Sequence, residues 1–372
     1  MNILHWAFPF HPGRGGQSIW IERMAIAAAQ RGHKVGIMIG PATDQGEISK
    51  QFKEQVSIIP TDLTVTDLSQ QNAAHSIQIA KEMKKFKPDV IHVHNLESKE
   101  LVFLRFFQVT RGKGLPVICT LHDLASVRRL QKLIAATGKL ESLSAVVSPS
   151  KFIEAQFESL TSHQREKFHM IYHGIPLLES ETLERTAHPK LLFASDLQDH
   201  KGGVILLSAW KKIHAQYPNY SLTIAGDGPA KTFLEQYAYS SGLGEQINFV
   251  GWLSQEQLQS FLRDDCILII PSLLGEAFGL IGVEAAMAEA SIIVSRIGAL
   301  PEIVENEVSG LVVKPGDSHE LSIAIERLMT NQELRSEMGL AARHRAEELF
   351  SFPQSFSAYE LLYEEVINSK GV

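Results

Sequence analysis

Residues 271–287 read Pro271-Ser272-Leu273-Leu274-Gly275-Glu276-Ala277-Phe278-Gly279-Leu280-Ile281-Gly282-Val283-Glu284-Ala285-Ala286-Met287, and they directly follow an apolar run. This order predicts a buried strand, a loop and the start of a helix. Glu276 lies on the predicted loop, and Glu284 lies in the first turns of the predicted helix. Free backbone N–H groups at a helix N-terminus attract phosphate groups, and a deeper carboxylate can accept hydrogen bonds from a vicinal diol. The stretch therefore predicts a site for a polyhydroxyl, phosphorylated ligand.

Short apolar runs alternate with helical patterns on both sides of this stretch, which is typical of parallel sheets built from strand–helix–strand units. The predicted strands are 3–6, 35–39, 56–59, 90–94, 117–120, 145–148, 170–172, 191–194, 222–225, 247–250, 267–270, 292–295 and 311–313.

A polar stretch with little periodicity interrupts this alternation and predicts two domains. We expect a first domain over 1–176, a linker over 177–189, a second domain over 190–350 and a helix within 351–372 that crosses back to the first domain. Two doubly wound domains in tandem predict a site in the cleft between the carboxyl ends of their sheets.

The 372 residues are 44% apolar and 21% charged, which excludes disordered, collagen-like and coiled-coil chains. The first residues lack a signal-peptide pattern, and no window approaches about 18 consecutive apolar residues, so we expect no membrane span. Cys119 and Cys266 are expected to be buried free thiols of a reducing compartment. These features predict a cytoplasmic protein.

The stretch 271–287 resembles the E-x7-E signature of the retaining glycosyltransferases of family 4, which have the GT-B fold. Other segments resemble that family in order and spacing over nearly the whole chain: Gly15-Gly16 with Glu22, Arg31-Gly32-His33-Lys34-Val35, 88–94, Thr120-Leu121-His122-Asp123, Lys201-Gly202, Gly226-Asp227-Gly228-Pro229, Phe249-Val250-Gly251, Pro301-Glu302-Ile303-Val304, and Phe350-Ser351-Phe352 with Tyr359 and Tyr363. The resemblance implies an α/β protein of GT-B architecture, with two Rossmann-like doubly wound parallel-sheet domains facing across a cleft.

The resemblance also implies roles for the matching residues. Glu276 would contact the donor sugar, Glu284 would hold the nucleotide ribose, and Lys201 would grip the donor diphosphate. His122 would lie beside the reacting sugar, so His122 and Glu276 are the predicted catalytic residues. The other predicted donor-binding residues are Gly15, Gly16, Gly226, Phe278, Gly279 and Leu280. The structural alternatives are solvated carboxylates, a surface lysine, a tight glycine turn and a strand-end histidine.

The chain departs from the family pattern in two places. Ser195-Asp196-Leu197 stands where the family has a G-R-L tripeptide, and Glu289 and Ser291 replace the usual glycine and proline. The first change removes an arginine from the donor-phosphate site. Arg14, between glycines, is the favoured replacement cation, and Arg296 is the second candidate.

Two further patterns have structural alternatives. His92 and His94 share one face of a predicted strand, but we find no third metal ligand with suitable spacing, so core packing is favoured over a metal site. Asp264 and Asp265 are predicted to be a surface pair at a helix C-terminus. No metal and no cofactor is expected, because cations and amide dipoles can meet the charge of a leaving diphosphate.

Residues 1–178 hold 21 Lys and Arg against 15 Asp and Glu, whereas the remainder holds 14 against 27. The basic first half contains lysines around Phe86 and a basic, aromatic segment over 101–113. Such segments predict peripheral contact with an anionic membrane, at the inner face of the cell membrane, that would give access to a lipid-linked acceptor. The alternative is a solvated lysine face beside core phenylalanines.

The resemblance to family 4 implies a retaining glycosyltransferase that moves a hexose from a nucleotide diphosphate sugar to a glycan or lipid-linked acceptor, in cell-envelope polysaccharide or glycolipid biosynthesis. No nucleic-acid partner is expected. The alternative is a catalytically degenerate GT-B protein that acts as a partner or sugar-binding subunit, which the loss of the arginine favours. A sugar phosphorylase or a sugar-nucleotide epimerase of similar fold is a third hypothesis.

Overall fold

The computed structural model describes residues 1–7, 10–12, 15–40, 48–60, 80–95, 114–137, 140, 143–178 and 185–369. The chain divides into two compact units: the first comprises Met1–Tyr172 and Gln354–Val372, and the second comprises His173–Pro353. Arg14, the linker residues 179–184 and the basic segment 101–113 lie outside the described residues.

The first unit contains a seven-stranded parallel sheet with the order β3-β2-β1-β4-β5-β6-β7. Its strands are β1 Asn2–Ala7, β2 Lys34–Ile39, β3 Ser57–Pro60, β4 Val90–His94, β5 Val117–Thr120, β6 Ala145–Ser148 and β7 Phe168–Met170. The order reverses between β1 and β4, as in a Rossmann-like sheet. Strands β4, β5 and β6 are buried throughout, which explains why they read as continuous apolar runs.

Helices connect these strands. Described helices of the first unit are Gly16–Gln30, Lys50–Gln55, 80–86, Leu124–Thr137, Lys151–Ala155, Ser162–Arg165 and, from Gln354 onward, Phe352–Asn368. The helix Gly16–Gln30 buries Ile21, Met24, Ala25 and Ala28 on one side, at the three- and four-residue spacing of an amphipathic helix.

The helix Phe352–Asn368 completes the core of the first unit. Its Tyr359 and Tyr363 are buried. The Tyr363 hydroxyl lies 2.7 Å from Nδ1 of His92, and the Tyr359 hydroxyl lies 3.1 Å from Oγ1 of Thr120. Both partners lie on central strands, so this late segment of the chain supplies hydrogen bonds to the middle of the sheet formed by the early segment.

Phe86 is only 5% exposed, and the ammonium of Lys34 lies 4.7 Å from its ring centroid. Phe86 is therefore unavailable for insertion into a membrane surface, which corrects that part of the prediction. The neighbouring side chains of Lys81, Lys84 and Lys85 are exposed, as expected for a solvated lysine face. Among the described residues, no helix combines the length and the apolar composition that crossing a membrane requires.

The second unit contains a six-stranded sheet with the order β10-β9-β8-β11-β12-β13, again parallel throughout. Its strands are β8 Lys190–Ala194, β9 Leu222–Ala225, β10 Ile247–Gly251, β11 Cys266–Ile270, β12 Ser291–Ser295 and β13 Leu311–Val313. The order reverses between β8 and β11. The two parallel, Rossmann-like sheets confirm the predicted fold class, and all the predicted strands are observed, with bounds shifted by two residues at most.

Helices and short 3-10 turns connect the strands of the second unit. Described helices are Gly203–Ile213, Lys231–Ser240, Gln255–Leu262, Leu280–Met287, Leu300–Ile303, Ser318–Thr330 and Gln332–Leu349. The core contains Trp210, Leu206 and Ile267. Cys266 on β11 and Cys119 on β5 are buried free thiols, which confirms that both are buried and that neither forms a disulfide.

Asp265, immediately before β11, is fully buried, so the prediction that it belongs to a surface pair is wrong. Its carboxylate accepts hydrogen bonds from Arg335 at 3.1 and 3.3 Å, from Arg185 at 3.1 Å and from the Thr186 backbone at 2.7 Å. Burial by itself raises the pKa of Asp265, but the hydrogen bonds from Arg335 and Thr186 outweigh it and hold the pKa below its usual value. Of the two aspartates only Asp264 is exposed, and its carboxylate pairs with Lys190.

We expect Asp265→Asn to lower the free energy of unfolding by about 3–5 kcal/mol, because it leaves two buried guanidinium groups without their anion. Asp264→Asn removes the neighbouring exposed carboxylate and is the matched control, with an expected loss below about 1 kcal/mol. Urea denaturation of both variants at pH 7 measures the difference. Similar small losses in the two variants would contradict the anchoring role of Asp265.

The pH dependence has a defined direction. Because the folded-state pKa of Asp265 lies below its unfolded value, its contribution to stability is complete above about pH 4 and is lost as the pH falls through the folded-state pKa. The difference in the free energy of unfolding between wild type and Asp265→Asn should therefore decrease in that acidic range. Denaturation midpoints recorded between neutral pH and pH 3 test this.

Candidate functional site

The loops that follow β8 and β11 carry four predicted site residues of the second unit: Lys201, Glu276, Phe278 and Gly279. These two strands are neighbours at the point where the strand order reverses. In open parallel sheets, ligands bind beyond the carboxyl ends of the strands at such a switch point. Asp196 and Lys201 follow β8, and Ser272 and Glu276 follow β11, so the topology alone brings these four side chains to one place.

Lys201 forms an ion pair with Glu276. Its ammonium donates to both carboxylate oxygens, at 2.8 and 3.0 Å, and it also lies 3.5 Å from Oδ1 of Asp196. Burial by itself lowers the pKa of Lys201, but the two carboxylates outweigh it and raise the pKa above its usual value. Lys201 therefore stays charged at neutral pH, and the predicted surface-lysine alternative does not fit its 18% exposed side chain.

Ser272 orients the Glu276 carboxylate. The serine is fully buried, and its hydroxyl donates to Oε1 of Glu276 at 2.7 Å. Sequence reasoning did not single out Ser272, although it lies only four residues before Glu276. Its position directly after a buried strand could have identified it, because the hydroxyl of a short side chain there can reach the first residues of the loop.

Glu284 is held in a similar way by Gln255. The Gln255 amide donates to Oε1 of Glu284 at 2.8 Å, and Glu284 is 8% exposed. A buried carboxylate that accepts from a fixed donor has a defined orientation. Gln255 begins the helix Gln255–Leu262, and nothing in the sequence connects it to Glu284, which lies 29 residues further on.

The helix that contains Glu284 begins at Leu280, and Gly279 precedes it with φ of 106°. A Cβ atom at Gly279 would lie 2.9 Å from a methyl carbon of Leu300, so both the backbone angle and the packing require glycine. Phe278 is buried, and its ring lies 5.5 Å from that of His173. The predicted residues Phe278, Gly279 and Leu280 thus form the fixed start of this helix.

Gly226, directly after β9, allows the loop after β9 to pack closely against the loop after β8. It has φ of 122°, and a Cβ atom there would lie 1.8 Å from the carbonyl oxygen of Ser195. Any larger residue would push the loop after β9 away from Asp196 and Lys201. Gly226 therefore acts on the site by shaping its backbone.

The predicted residues of the first unit lie at the carboxyl ends of its central strands. Gly15 has φ of 74° and precedes the helix Gly16–Gln30, which has no side-chain N-cap. His122 follows β5, and its backbone N–H donates to Oδ1 of Asn95 at 2.6 Å. Asn95 in turn donates to Gln17 and Asp123, so a polar network fixes the backbone at His122.

His122 belongs to a cluster of four histidines. His5 on β1 is the register partner of His92 on β4, and His94 lies on the same face two residues further on. Nδ1 of His5 lies 2.9 Å from Nε2 of His94, and Nδ1 of His94 lies 3.1 Å from Nε2 of His122. Burial lowers the pKa of His5 to about 4 and that of His122 to about 3. Both rings are therefore neutral at physiological pH.

The prediction that His92 and His94 lack a third partner with suitable spacing is wrong. Ligand atoms of His5, His92 and His94 lie within 4.8 Å of one another, a separation that suits a shared metal ion. The same nitrogens, however, already make hydrogen bonds: those of His92 contact Tyr363 and Thr120, and those of His94 contact His5 and His122.

The family departures have different structural outcomes. Glu289 has φ of 58°, a backbone angle that favours glycine, but its carboxylate pairs with Arg343 and its carbonyl accepts from Arg185. Asp196 instead lies beside Lys201 and adds negative charge there. Arg296 is exposed and donates to the backbone of Val312 at 3.4 Å, which does not assign it to the phosphate site.

Two family models match consecutive parts of the chain. The model described as Glycosyltransferase Family 4 matches residues 14–177, and the model described as Glycosyl transferases group 1 matches residues 176–345. Together they span both units of the structure.

Individual glycosyltransferases are similar to the chain as well. The O-antigen chain mannosyltransferase C of Escherichia coli is 25% identical over 387 residues, with 100% of each chain covered. A glycogen synthase of Mycobacterium tuberculosis is 24% identical over 294 residues, which cover 75% of this chain and 69% of that protein.

Solved structures show the same fold. The sucrose-phosphate synthase of Thermosynechococcus elongatus superimposes with a TM-score of 0.79 at 20% identity, with 99% of this chain and 100% of that chain covered. The Anabaena protein HepE in complex with UDP-glucose superimposes with a TM-score of 0.74 at 19% identity, with 97% and 99% covered. From the family models, the relatives and the two Rossmann-like sheets we conclude that the chain belongs to the family 4 glycosyltransferases of the GT-B fold.

Proposed function

We propose that this glycosyltransferase moves a hexose, with retention of anomeric configuration and without a metal ion, from a nucleotide diphosphate sugar to a glycan or lipid-linked acceptor. The observation that carries the proposal is the preformed set of Lys201, Glu276 and Glu284 at the switch point of the second sheet. One cation for phosphate and two oriented carboxylates for hydroxyl groups match a sugar nucleotide.

Each group has a distinct task in this proposal. Lys201 exchanges part of its contact with Glu276 for the donor diphosphate, and Glu276 then accepts from hydroxyls of the donor sugar. Glu284 accepts from the ribose diol. The backbone N–H groups at the start of the helix Leu280–Met287 add positive dipole ends for the phosphates. Gly15 and Gly16 offer backbone N–H groups from the first unit.

The reaction breaks the bond between the anomeric carbon and a diphosphate oxygen, so negative charge grows on the leaving group. Groups that are already oriented toward this charge lower the barrier most. Lys201 is suited to that task because it stays protonated and lies on a fixed loop. His122 lies beside the sugar in this proposal, and its neutral ring adds no charge there.

The relatives support a donor and a pathway of this kind. HepE has been solved with UDP-glucose, and the Escherichia coli relative is named an O-antigen chain mannosyltransferase. Another solved neighbour is WaaG, a glycosyltransferase involved in lipopolysaccharide biosynthesis, with a TM-score of 0.72 at 17% identity. On this basis we propose that the activity belongs to cell-envelope polysaccharide or glycolipid biosynthesis.

The second candidate function is a non-catalytic partner or sugar-binding subunit, and the position of Asp196 favours it. Lys201 shares its single positive charge between two carboxylates, so the three side chains together carry a net negative charge. A diphosphate must overcome this repulsion to bind. Retention of Lys201, Glu276, Glu284 and His122 favours the enzyme.

Release of free nucleotide from a panel of UDP-, GDP- and ADP-sugars, with and without glycan and lipid-linked acceptors, separates the two candidates. The enzyme should release one nucleotide faster when its acceptor is present, and EDTA should leave the rate unchanged. NMR of the product gives the anomeric configuration. Donor binding without nucleotide release from any pair would support the sugar-binding subunit.

We expect the two glutamates to affect different kinetic constants. Glu276→Ala should lower kcat at least about 100-fold, because an interaction with the reacting sugar is lost in the transition state. Glu284→Ala should raise the donor KM about 10-fold or more with a smaller change in kcat, because a charge-assisted hydrogen bond to the ribose is lost. The exposed Glu256→Ala is the control. Equal effects of the two substitutions on KM and kcat would contradict these roles.

We expect Asp196→Asn to raise donor affinity about fivefold at low salt, because it removes a like charge close to the phosphates. Asp196→Arg should raise donor affinity further, about 10-fold or more, because it restores the arginine typical of the family. Asp199→Asn removes an exposed charge from the same loop and is the matched control. Isothermal titration with the preferred donor measures all three, and weaker binding by Asp196→Asn would show that Asp196 itself serves the donor.

A further inference from the structure

Three imidazole rings form a hydrogen-bonded row in the first unit. The row runs from His5 through His94 to His122, with nitrogen–nitrogen distances of 2.9 and 3.1 Å. His5 and His94 are fully buried. Each contact joins two ring nitrogens, so one of the two must carry a hydrogen and the other must be bare.

The row has only two arrangements. Burial lowers the pKa of His5 and of His122, and a positive charge on the fully buried His94 between these two rings would be costly. Each ring therefore carries one N–H. His94 uses both nitrogens in the row and must therefore donate through one and accept through the other. As a result, all three rings carry their hydrogen on Nδ1, or all three carry it on Nε2. The protonated nitrogen of His122 is thus coupled to that of His5, two rings away.

The buried end of the row selects one arrangement. Nε2 of His5 has no hydrogen-bond partner among the described residues. If all rings were protonated on Nε2, this nitrogen would be a buried N–H donor without an acceptor, and such orphaned donors are rarer in proteins than orphaned acceptors. If all rings are protonated on Nδ1, it is a bare nitrogen. The second arrangement leaves no unpaired donor at the buried end of the row.

We propose that His5 and His94 are positioning residues that hold His122 as a neutral imidazole protonated on Nδ1. His122 then offers an N–H donor to an oxygen atom of the sugar nucleotide and does not act as a base through that nitrogen. This role rests on the proposed function, in which His122 lies beside the reacting sugar. Two further observations fit it: Asn95 fixes the backbone of His122, and the Trp20 ring packs against both His94 and His122 at 5.9 and 5.4 Å.

The first test reads the tautomers directly and needs no substrate. Long-range ¹H–¹⁵N spectra of the full chain labelled with ¹⁵N-histidine, assigned by single substitutions, should show His5, His94 and His122 protonated on Nδ1. Protonation of His122 on Nε2 would overturn the proposal. Elemental analysis of the purified protein is a second arm, because one equivalent of zinc or another transition metal held by His5, His92 and His94 would break the row and also overturn it.

A matched pair of substitutions tests the effect on His122. His94→Asn places an amide close to the former Nδ1 and keeps a donor for His122, whereas His94→Gln places it close to the former Nε2 and keeps only the contact with His5. We expect kcat to fall less than about threefold in His94→Asn and about 10-fold or more in His94→Gln, with donor KM changed little in both.

The spectra of the two variants complete the test. His122 should remain protonated on Nδ1 in His94→Asn and become a mixture of tautomers in His94→Gln. Urea denaturation measures the stability of both variants. Their free energies of unfolding should be similar, because both lose the same ring, so a difference in kcat between them would not arise from stability. Equal losses of kcat in the two variants would reduce His94 to a structural residue and overturn the proposal. If wild type transfers no sugar, the proposed function fails, but the wild-type spectra still decide the arrangement of the row.

Discussion

The buried carboxylate of Asp265 fixes strand β11, and the candidate donor site depends on that strand. Its hydrogen-bond donors come from the helix Gln332–Leu349 and from the segment that leads into β8. One anion thus joins the helix layer to the two central strands of the second sheet. A buried charge persists only where it is paired and hydrogen-bonded. The opposite end of β11 continues into residues 271–279, so the loop that carries Glu276 extends from a strand that is anchored at its far end.

The same principle, a charge held by fixed donors, organises the site itself. Glu276 accepts from Lys201 and Ser272, and Glu284 accepts from Gln255, so both carboxylates are oriented before any ligand binds. Such supporting contacts keep site residues in productive geometry. The two departures from the family pattern, Glu289 and Asp196, differ in whether the added negative charge has a cation of its own. Arg343 compensates the charge of Glu289, whereas Asp196 shares the positive charge of Lys201 with Glu276.

The sequence was sufficient to predict the strands because parallel strands buried on both faces read as apolar runs. It also placed Glu276 on the loop after β11 and Glu284 in the helix that follows this loop. Contacts between distant segments were harder. His5 was missed because its partner depends on β1 pairing with β4, an order that periodicity does not reveal. Ser272 was missed because polar side chains are common in loops, and Gln255 was missed because polar side chains are equally common in the first turn of a helix. Asp265 was misjudged because its neighbours Arg335 and Arg185 are 70 and 80 residues away in the chain.

The discontinuous first unit has a consequence for synthesis on the ribosome. The 181 residues of the second unit, His173–Pro353, are translated between the two parts of the first unit. At about 5–20 residues per second this takes roughly 10–35 s. During that time Tyr359 and Tyr363 do not yet exist, and the buried His92 and Thr120 lack those partners. The seven-stranded sheet therefore remains incompletely covered until the second unit has been translated. At that stage the nascent chain exposes the part of the sheet around His92 and Thr120 that the last helix covers in the folded protein.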